Sequence, residues 1–274
     1  HIEAAGIHSG DSTAVIPPVI LSEKNREEMV DIVHRIALKL NVIGLVNVQL
    51  AVQKGKVFII EVNPRASRTV PYVSKATGIP VARIATRLLL GEKIADQADL
   101  TKHGKGMFFI KAPVFPWQRF PGSDVVLGPE MRSTGEVMGV GWSFGEAYAK
   151  ALIGAGMTLP ESGGVFLSIR DEDKPQLPAL AARLNQMGFE IHATLGTHKA
   201  LQEAGIPSTH VYKVKEGRPD IVDHIKNGKI QLMINTPMGK KGVLDERAMR
   251  LAGLRYGIPC ITTMEAAEAV LGAL

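Results

Sequence analysis

V-F-I-I-E-V-N-P-R, residues 57–65, decides how the first part of this chain folds. Four apolar residues lead into a carboxylate, an apolar residue, an amide, a proline and an arginine. Strand side chains alternate between faces, so Glu61 and Asn63 emerge on the same side. An acid and an amide together at the end of a buried strand cost desolvation energy unless a polar group meets them. Either water does so or a hard cation does; Mg²⁺ takes one or two carboxylates, water and the oxygens of a phosphate.

Just upstream, residues 45–52 read L-V-N-V-Q-L-A-V, a second strand, and residues 53–56 contain Gly55, which suits a hairpin turn. Asn47 and Gln49 share one face of that strand. If the hairpin places the polar faces together, Gln49 joins Glu61 and Asn63 as a third oxygen donor. Before the hairpin, Ser22 is an N-cap candidate for a helix over residues 22–40, with Met29, Ile32, Val33, Ile36, Ala37 and Leu40 on its apolar face. At the start of the chain, Gly6 and Gly10 bracket His8 and Ser9, so several polar groups can converge there. After the hairpin, Pro64 opens a loop carrying Arg65 and Arg68. Arg65 offers a planar fork of donors for a phosphate or for a nearby carboxylate. A short turn or helix is expected over residues 71–78 and a second helix over 80–90, ended by Gly91.

Length and composition bound the rest. The 274 residues allow two domains, with 45% hydrophobic and 22% charged residues, an ordinary balance for a soluble protein. No apolar run reaches membrane-spanning length, so no membrane partner is expected. Residue 1 is His with no leader after it, so we expect no signal peptide and read the chain as a piece of something longer. One cysteine, Cys260, cannot form an internal disulfide, which fits a reducing, cytoplasmic setting. The net charge of +5 is dispersed among acids, with no basic run interleaved with aromatics. Small phosphorylated ligands explain it better than nucleic acid.

Residues 92–106 read as a boundary and residues 107–115 as a strand broken by Pro113. The Gly- and Pro-rich residues 116–141 show few signs of regular structure. A helix over 143–152 and a linker over 154–164 follow. From Val165 the pattern becomes strand–helix alternation: V-F-L-S-I, a helix over 174–187, F-E-I-H-A-T, a helix over 198–204, a strand over 211–214, a helix over 221–226, I-Q-L-M-I-N, a helix over 246–256, C-I-T-T and a helix over 265–274. Such alternation means parallel βαβ units, a doubly wound α/β domain. Ligands of these sheets sit beyond the carboxyl ends of the strands. The residues there are Ser168, Lys174, Thr194, Thr197, Lys213, Asn235, Thr236, Thr262 and Thr263. Hydroxyls and lysines with a helix start after Gly196 suit an anion; the same hydroxyls also serve simply as helix caps.

With these motifs in place, the chain resembles a known family. Gln49 with E-V-N-P-R (61–65) resembles the metal-binding strands of ATP-grasp ligases. A-S-R-T-V-P-Y-V-S-K-A-T-G (66–78) and G-P-E-M-R-S-T-G-E-V-M-G-V-G (128–141) are similar to the carbamoyl phosphate synthetase large subunit, and the resemblance covers the whole chain. It implies an α/β protein: the end of the second ATP-grasp unit (residues 1–96, α+β with an antiparallel sheet), a connecting segment (97–160) and a methylglyoxal-synthase-like allosteric domain (161–274) with a doubly wound parallel sheet. It implies that Gln49, Glu61 and Asn63 hold Mg²⁺ or Mn²⁺ of the second ATP and that Arg65 stands beside the phosphates as the catalytic group. Gly6, Ile7, His8 and Ser9, with Gln49 and Glu61, would touch the nucleotide. The reaction implied is phosphorylation of carbamate by ATP.

The same resemblance implies a nucleotide monophosphate effector, UMP or IMP, at Lys174, Thr194, Thr197, Lys213 and Asn235, and ornithine at Glu3, Asp11 and Thr262. The chain departs from the family there: Ala112 replaces a glutamate, Cys260 a tyrosine, and Pro237 a hydroxyl residue near the effector phosphate. Losing a carboxylate that would pair with an ammonium counts against ornithine. The partners implied are the remainder of the large subunit and a separate glutaminase small subunit. The isolated chain is expected to be inactive and to act as an effector-binding module. Lyase chemistry in the terminal domain would need a carboxylate in the loop P-M-G-K-K-G (237–242), which has none before Asp245.

Overall fold

The computed structural model describes residues 1–3, 5–97, 106–117, 119, 125–214, 216–236 and 243–274. The chain forms two compact units, one of Val15–Phe109 and one of His1–Ala14 with Ile110–Leu274. It is an α/β protein with an antiparallel hairpin sheet, a three-stranded sheet and a five-stranded parallel sheet.

In the Val15–Phe109 unit, α1 (Glu23–Lys39) begins where Ser22 Oγ accepts the Asn25 N–H at 3.2 Å. Its half-buried residues are those of the expected apolar face, except that Leu40 lies past the helix end and is exposed. Strands β2 (Asn47–Gln53) and β3 (Lys56–Asn63) pair antiparallel through a two-residue turn at Lys54 and Gly55, with φ of 50° and 74°. Two positive φ values in succession match the right-handed twist of the flanking strands. The register slips between Gln49 and Leu50, so Ile60 is an extra residue on β3. The expectation of a buried strand fails here: Phe58, Ile59 and Ile60 are each about half exposed, because the hairpin is a two-stranded sheet. Helices α2 (Thr69–Thr77) and α3 (Val81–Leu89) follow, α2 stopping at Gly78 in the left-handed conformation.

Strand β4 (Phe108–Val114) lies between β1 (Ala14–Ile16) and β5 (Gly135–Gly141). Two expectations are corrected. Pro113 does not break β4, which continues to Val114, whose carbonyl accepts the Thr134 N–H. Residues 116–141 also end in a strand, β5, hidden in sequence by its glycines. Those glycines have a reason: a Cβ on Gly139 would overlap the Ala147 carbonyl and one on Gly141 the Ala147 N–H. Helix α4 (Phe144–Gly154), capped by Ser143, packs that closely on β5.

The parallel sheet has the order β10–β9–β6–β7–β8, with β6 (Gly164–Ser168), β7 (Glu190–Ala193), β8 (Thr209–His210), β9 (Leu232–Asn235) and β10 (Cys260–Ile261). Every residue of β6 and β9 is buried, as expected of strands covered on both faces. Helices α5 (Leu177–Gln186), α6 (Leu195–Glu203), α7 (Ile221–Lys226), α8 (Val243–Arg255) and α9 (Met264–Ala273) connect and flank them. Several boundaries differ from expectation, among them α8, which starts three residues early. Residues 171–176 form a 3₁₀ turn because Pro175 and Pro178 allow the α-helix to begin only at Leu177. Helix α6 starts at Leu195, three residues early. The strand expected at 211–214 lies instead at Thr209–His210, where it pairs with β7, leaving Tyr212 in a single bridge to Asp220. The loop at 237–242 lies outside the described residues.

Candidate functional site

Two candidate sites stand in separate units, and a third set of residues forms a buried polar cluster.

On the hairpin, Gln49 pairs directly with Glu61 and Asn47 with Asn63. Directly opposed residues share a face, so all four polar side chains lie on one side of the strand pair, with Val48 and Val62 on the other. Glu61 is exposed; Gln49, Asn47 and Asn63 are half-buried. The expected trio is therefore brought together. Asn47 is a fourth member whose signal was already in the sequence, since it shares the face of Gln49. One carboxylate among amide oxygens is a donor set for a hard cation, with no nitrogen or sulfur that would favour zinc. Among the described residues no three His, Cys, Asp or Glu side chains gather as a metal-ligating group. Arg65 is exposed, and its guanidinium donates to the Ala66 carbonyl at 2.9 Å.

The segment with Gly6, Ile7, His8 and Ser9 belongs to the other unit. His8 Nδ1 accepts the Gly10 N–H at 3.0 Å, so the imidazole caps its own turn. Lys111, almost wholly buried on β4, donates from Nζ to the Ser9 carbonyl at 3.1 Å and the Gly10 carbonyl at 3.4 Å. Burial lowers its pKa, and Glu136, Glu3 and Asp11 oppose that shift. Sequence reasoning missed Lys111; its signal is a lone lysine inside F-F-I-K-A-P-V-F. Glu3 receives the Thr13 N–H at 2.6 Å and the Thr13 hydroxyl at 2.8 Å, while burial raises its pKa. Asp11, fully buried, accepts the Arg132 and Ser133 N–H groups, each at 2.8 Å. Ala112 is buried in β4 and Thr262 half-buried after β10. Both acids thus hold backbone in place.

In the parallel sheet the strand order reverses at β6, so the switch point lies at the carboxyl ends of β6 and β9, where Ser168 and Asn235 are register partners. Thr197 Oγ1 accepts the Ile169 N–H at 3.0 Å, and the Thr194 hydroxyl donates to it at 3.2 Å. Thr236 Oγ1 accepts the Arg170 N–H at 2.9 Å. Two of the expected rim hydroxyls therefore fasten the exit of β6 to its neighbours. Thr194 is the N-cap of α6 without a side-chain cap bond, and a Cβ on Gly196 would lie 3.4 Å from Lys174 Nζ. The Lys174 ammonium thus stands over the first turn of α6. It pairs with Asp171 at 2.6 Å. The backbone N–H of Lys213 donates to Glu216 at 3.1 Å in the loop before α7. Arg170, also missed in sequence, grips buried Asp173 with two hydrogen bonds of 2.7 and 3.2 Å. The structure places Lys174, Thr194, Thr197 and Asn235 at one sheet edge.

A hairpin with an oxygen-bearing face, followed in the same chain by a parallel α/β domain with a hydroxyl-lined switch point, is the architecture to which two family descriptions match. Residues 2–97 match the family described as "Carbamoyl-phosphate synthase L chain, ATP binding domain", and residues 176–262 match "MGS-like domain". The chain belongs to the carbamoyl phosphate synthase large chain family and corresponds to its C-terminal part. It is 55% identical to the large chain of Acidobacterium capsulatum, over 98% of this chain and 25% of that one. It is 47% identical to the C-terminal section of the Aquifex aeolicus large chain, over 100% of this chain and 54% of that section. The Pseudomonas putida large chain is 49% identical over 100% of this chain and 26% of its own length. The chain therefore spans about a quarter of the full-length relatives and about half of the separate section. Among the described residues no helix is long and apolar enough to cross a membrane.

Proposed function

We propose that this chain carries one wall of an ATP site that phosphorylates carbamate, together with an effector-binding domain that regulates it. The observation that carries the reading is the cross-strand set Gln49–Glu61 and Asn47–Asn63 on one face of the hairpin. Glu61, Gln49 and Asn63 would hold Mg²⁺ or Mn²⁺ with ATP, and the cation would draw charge from the transferring phosphoryl group. Phosphoryl transfer is catalysed mainly by positioning and charge neutralisation, so a carboxylate with amides is an adequate protein contribution. Arg65 would stand beside the phosphates; its planar fork and permanent charge suit that place. The turn at Gly6, Ile7, His8 and Ser9, held by Lys111, would contact the nucleotide through its backbone. The product in this reading is carbamoyl phosphate, with ammonia delivered by a glutaminase subunit and the rest of the large chain completing the ATP site, in the cytoplasm. We assign residues 1–96 to the ATP-grasp part, 97–160 to the connection and 161–274 to the regulatory part.

In the regulatory part, Lys174, Thr194, Thr197, Lys213 and Asn235 would hold a nucleotide monophosphate, UMP or IMP, with its phosphate at the α6 N-terminus, where the aligned amides favour negative charge. Ornithine at Glu3, Asp11 and Thr262 is the weaker reading: both acids have internal N–H partners and Ala112 brings no carboxylate.

The test uses the chain itself. Mn²⁺ titration followed by electron paramagnetic resonance, with and without ATP, should show a site that Glu61→Gln weakens by about tenfold or more, since a charge-assisted contact is worth roughly 1.5–3 kcal/mol. Equal Mn²⁺ affinity in the variant would remove Glu61 from the metal site. ATP-dependent carbamoyl phosphate formation by this chain alone would overturn its assignment as one wall of a larger site.

A further inference from the structure

A lysine from another turn, set over the start of α6, has the wrong sign for its place. Aligned backbone amides make a helix N-terminus positive, so an ammonium over the first turn is repelled unless an anion stands beside it. Lys174 is nonetheless set there, its Nζ 3.4 Å from the point where a Cβ on Gly196 would lie. The anion that accompanies it is the Asp171 carboxylate at 2.6 Å.

The 3₁₀ turn that carries Lys174 holds three acids, and they divide by partner. Asp173 is buried and gripped by two hydrogen bonds from Arg170, and Glu172 lies 3.9 Å from the same guanidinium. Asp171 alone of the three pairs with Lys174. Its side chain is 85% exposed while that of Lys174 is 27% exposed. The carboxylate can therefore swing into water at little cost, whereas the lysine is held by its surroundings. The cation is thus the more enclosed of the two, and its partner faces water.

We infer that Asp171 is a built-in stand-in for the effector's phosphate: it neutralises Lys174 while the site is empty and must leave when a phosphate monoester binds. This rests on the reading of the rim as a nucleotide monophosphate site. Effector affinity then contains the cost of breaking one exposed ion pair. Exposed pairs contribute little, so removing Asp171 tightens binding by about 1.4-fold to fivefold, more at low salt than at high salt.

The experiment is a calorimetric titration of the chain with UMP, and with inorganic phosphate, at two salt concentrations. Wild type, Asp171→Asn, Lys174→Met and Glu172→Gln are compared. The expected result is tighter binding by Asp171→Asn with a reduced gain at high salt, weaker binding by Lys174→Met, and no change for Glu172→Gln, whose acid faces Arg170. Weakened binding in Lys174→Met without tightening in Asp171→Asn overturns the stand-in while leaving the site. Equal gains in Asp171→Asn and Glu172→Gln also overturn it, because the effect is then general charge. Wild type and Lys174→Met binding alike, or no binding by any variant, overturns the anion site itself.

Discussion

Phe58 and Phe166 stand in nearly the same local sequence, Val-Phe-Ile-Ile and Val-Phe-Leu-Ser, yet Phe58 is 47% exposed and Phe166 only 1%. Both are strand residues. The difference lies in what flanks the strand. β6 is the middle of five parallel strands, with β7 and β9 hydrogen-bonded on either side and helices against the sheet. β3 is half of a hairpin, with α1 packed against it. An apolar string therefore reports the tendency to form a strand, while burial is a property of the sheet that receives it. The two regions also differ in how polar groups are used. On the hairpin they lie on an accessible face; at the parallel sheet's edge several are bound to backbone and serve the fold.

The largest effect that tests this comparison is on the core of the parallel domain. Phe166→Ala should destabilise it by about 3–5 kcal/mol in urea unfolding monitored by far-ultraviolet circular dichroism, from lost burial and the cavity left behind. A loss below about 1 kcal/mol would mean that β6 is less central than its burial indicates.

A second, intermediate effect concerns acid. His192 on β7 and His224 on α7 have ring centroids 5.7 Å apart, and both ring nitrogens of His192 and Nδ1 of His224 are buried without a hydrogen-bond partner among the described residues. Desolvation lowers both pKa values from the ordinary 6.5; each is lowered further by a nearby positive group, His224 for His192 and Lys229 for His224, while Glu190, Asp220 and Asp223 oppose the shift. The unfolded chain thus binds more protons than the folded one below pH 6.5. The stability involved is fully present above 6.5 and is lost as pH falls toward the folded pKa values. The melting temperature of the parallel domain should drop between neutral pH and about pH 5, and the double variant His192→Leu, His224→Leu should flatten that slope. An unchanged slope would show that the pair is already solvated.

The smallest effect is expected at Phe58. Phe58→Ala should change stability by no more than about 0.5 kcal/mol, as for an ordinary surface position. A cost comparable to that of Phe166→Ala would abolish the contrast between the two regions.

Much of this was legible in local sequence. Residue parity alone placed Glu61 with Asn63 and Asn47 with Gln49, and the turn at Lys54 and Gly55 brought the two polar sets onto one face. The strand–helix alternation after Val165 announced the parallel domain. The Gly-rich strand β5 was hidden because its glycines answer to α4, a partner that follows it in the chain. Lys111 and Arg170 were passed over because a single charge acquires meaning only from the groups folded around it.

By itself the sequence determined periodicity, turn chemistry and the residues available at strand ends, because these depend on neighbours one to four positions away. Tertiary structure decided which apolar strand is covered, that Thr197 and Thr236 bind the exit of β6, and that Lys174 reaches α6 beside Asp171. Those outcomes depend on close approach between segments distant in the chain. Hydrogen bonding, charge and excluded volume select among many sequence-compatible partners only once the backbone has brought them together.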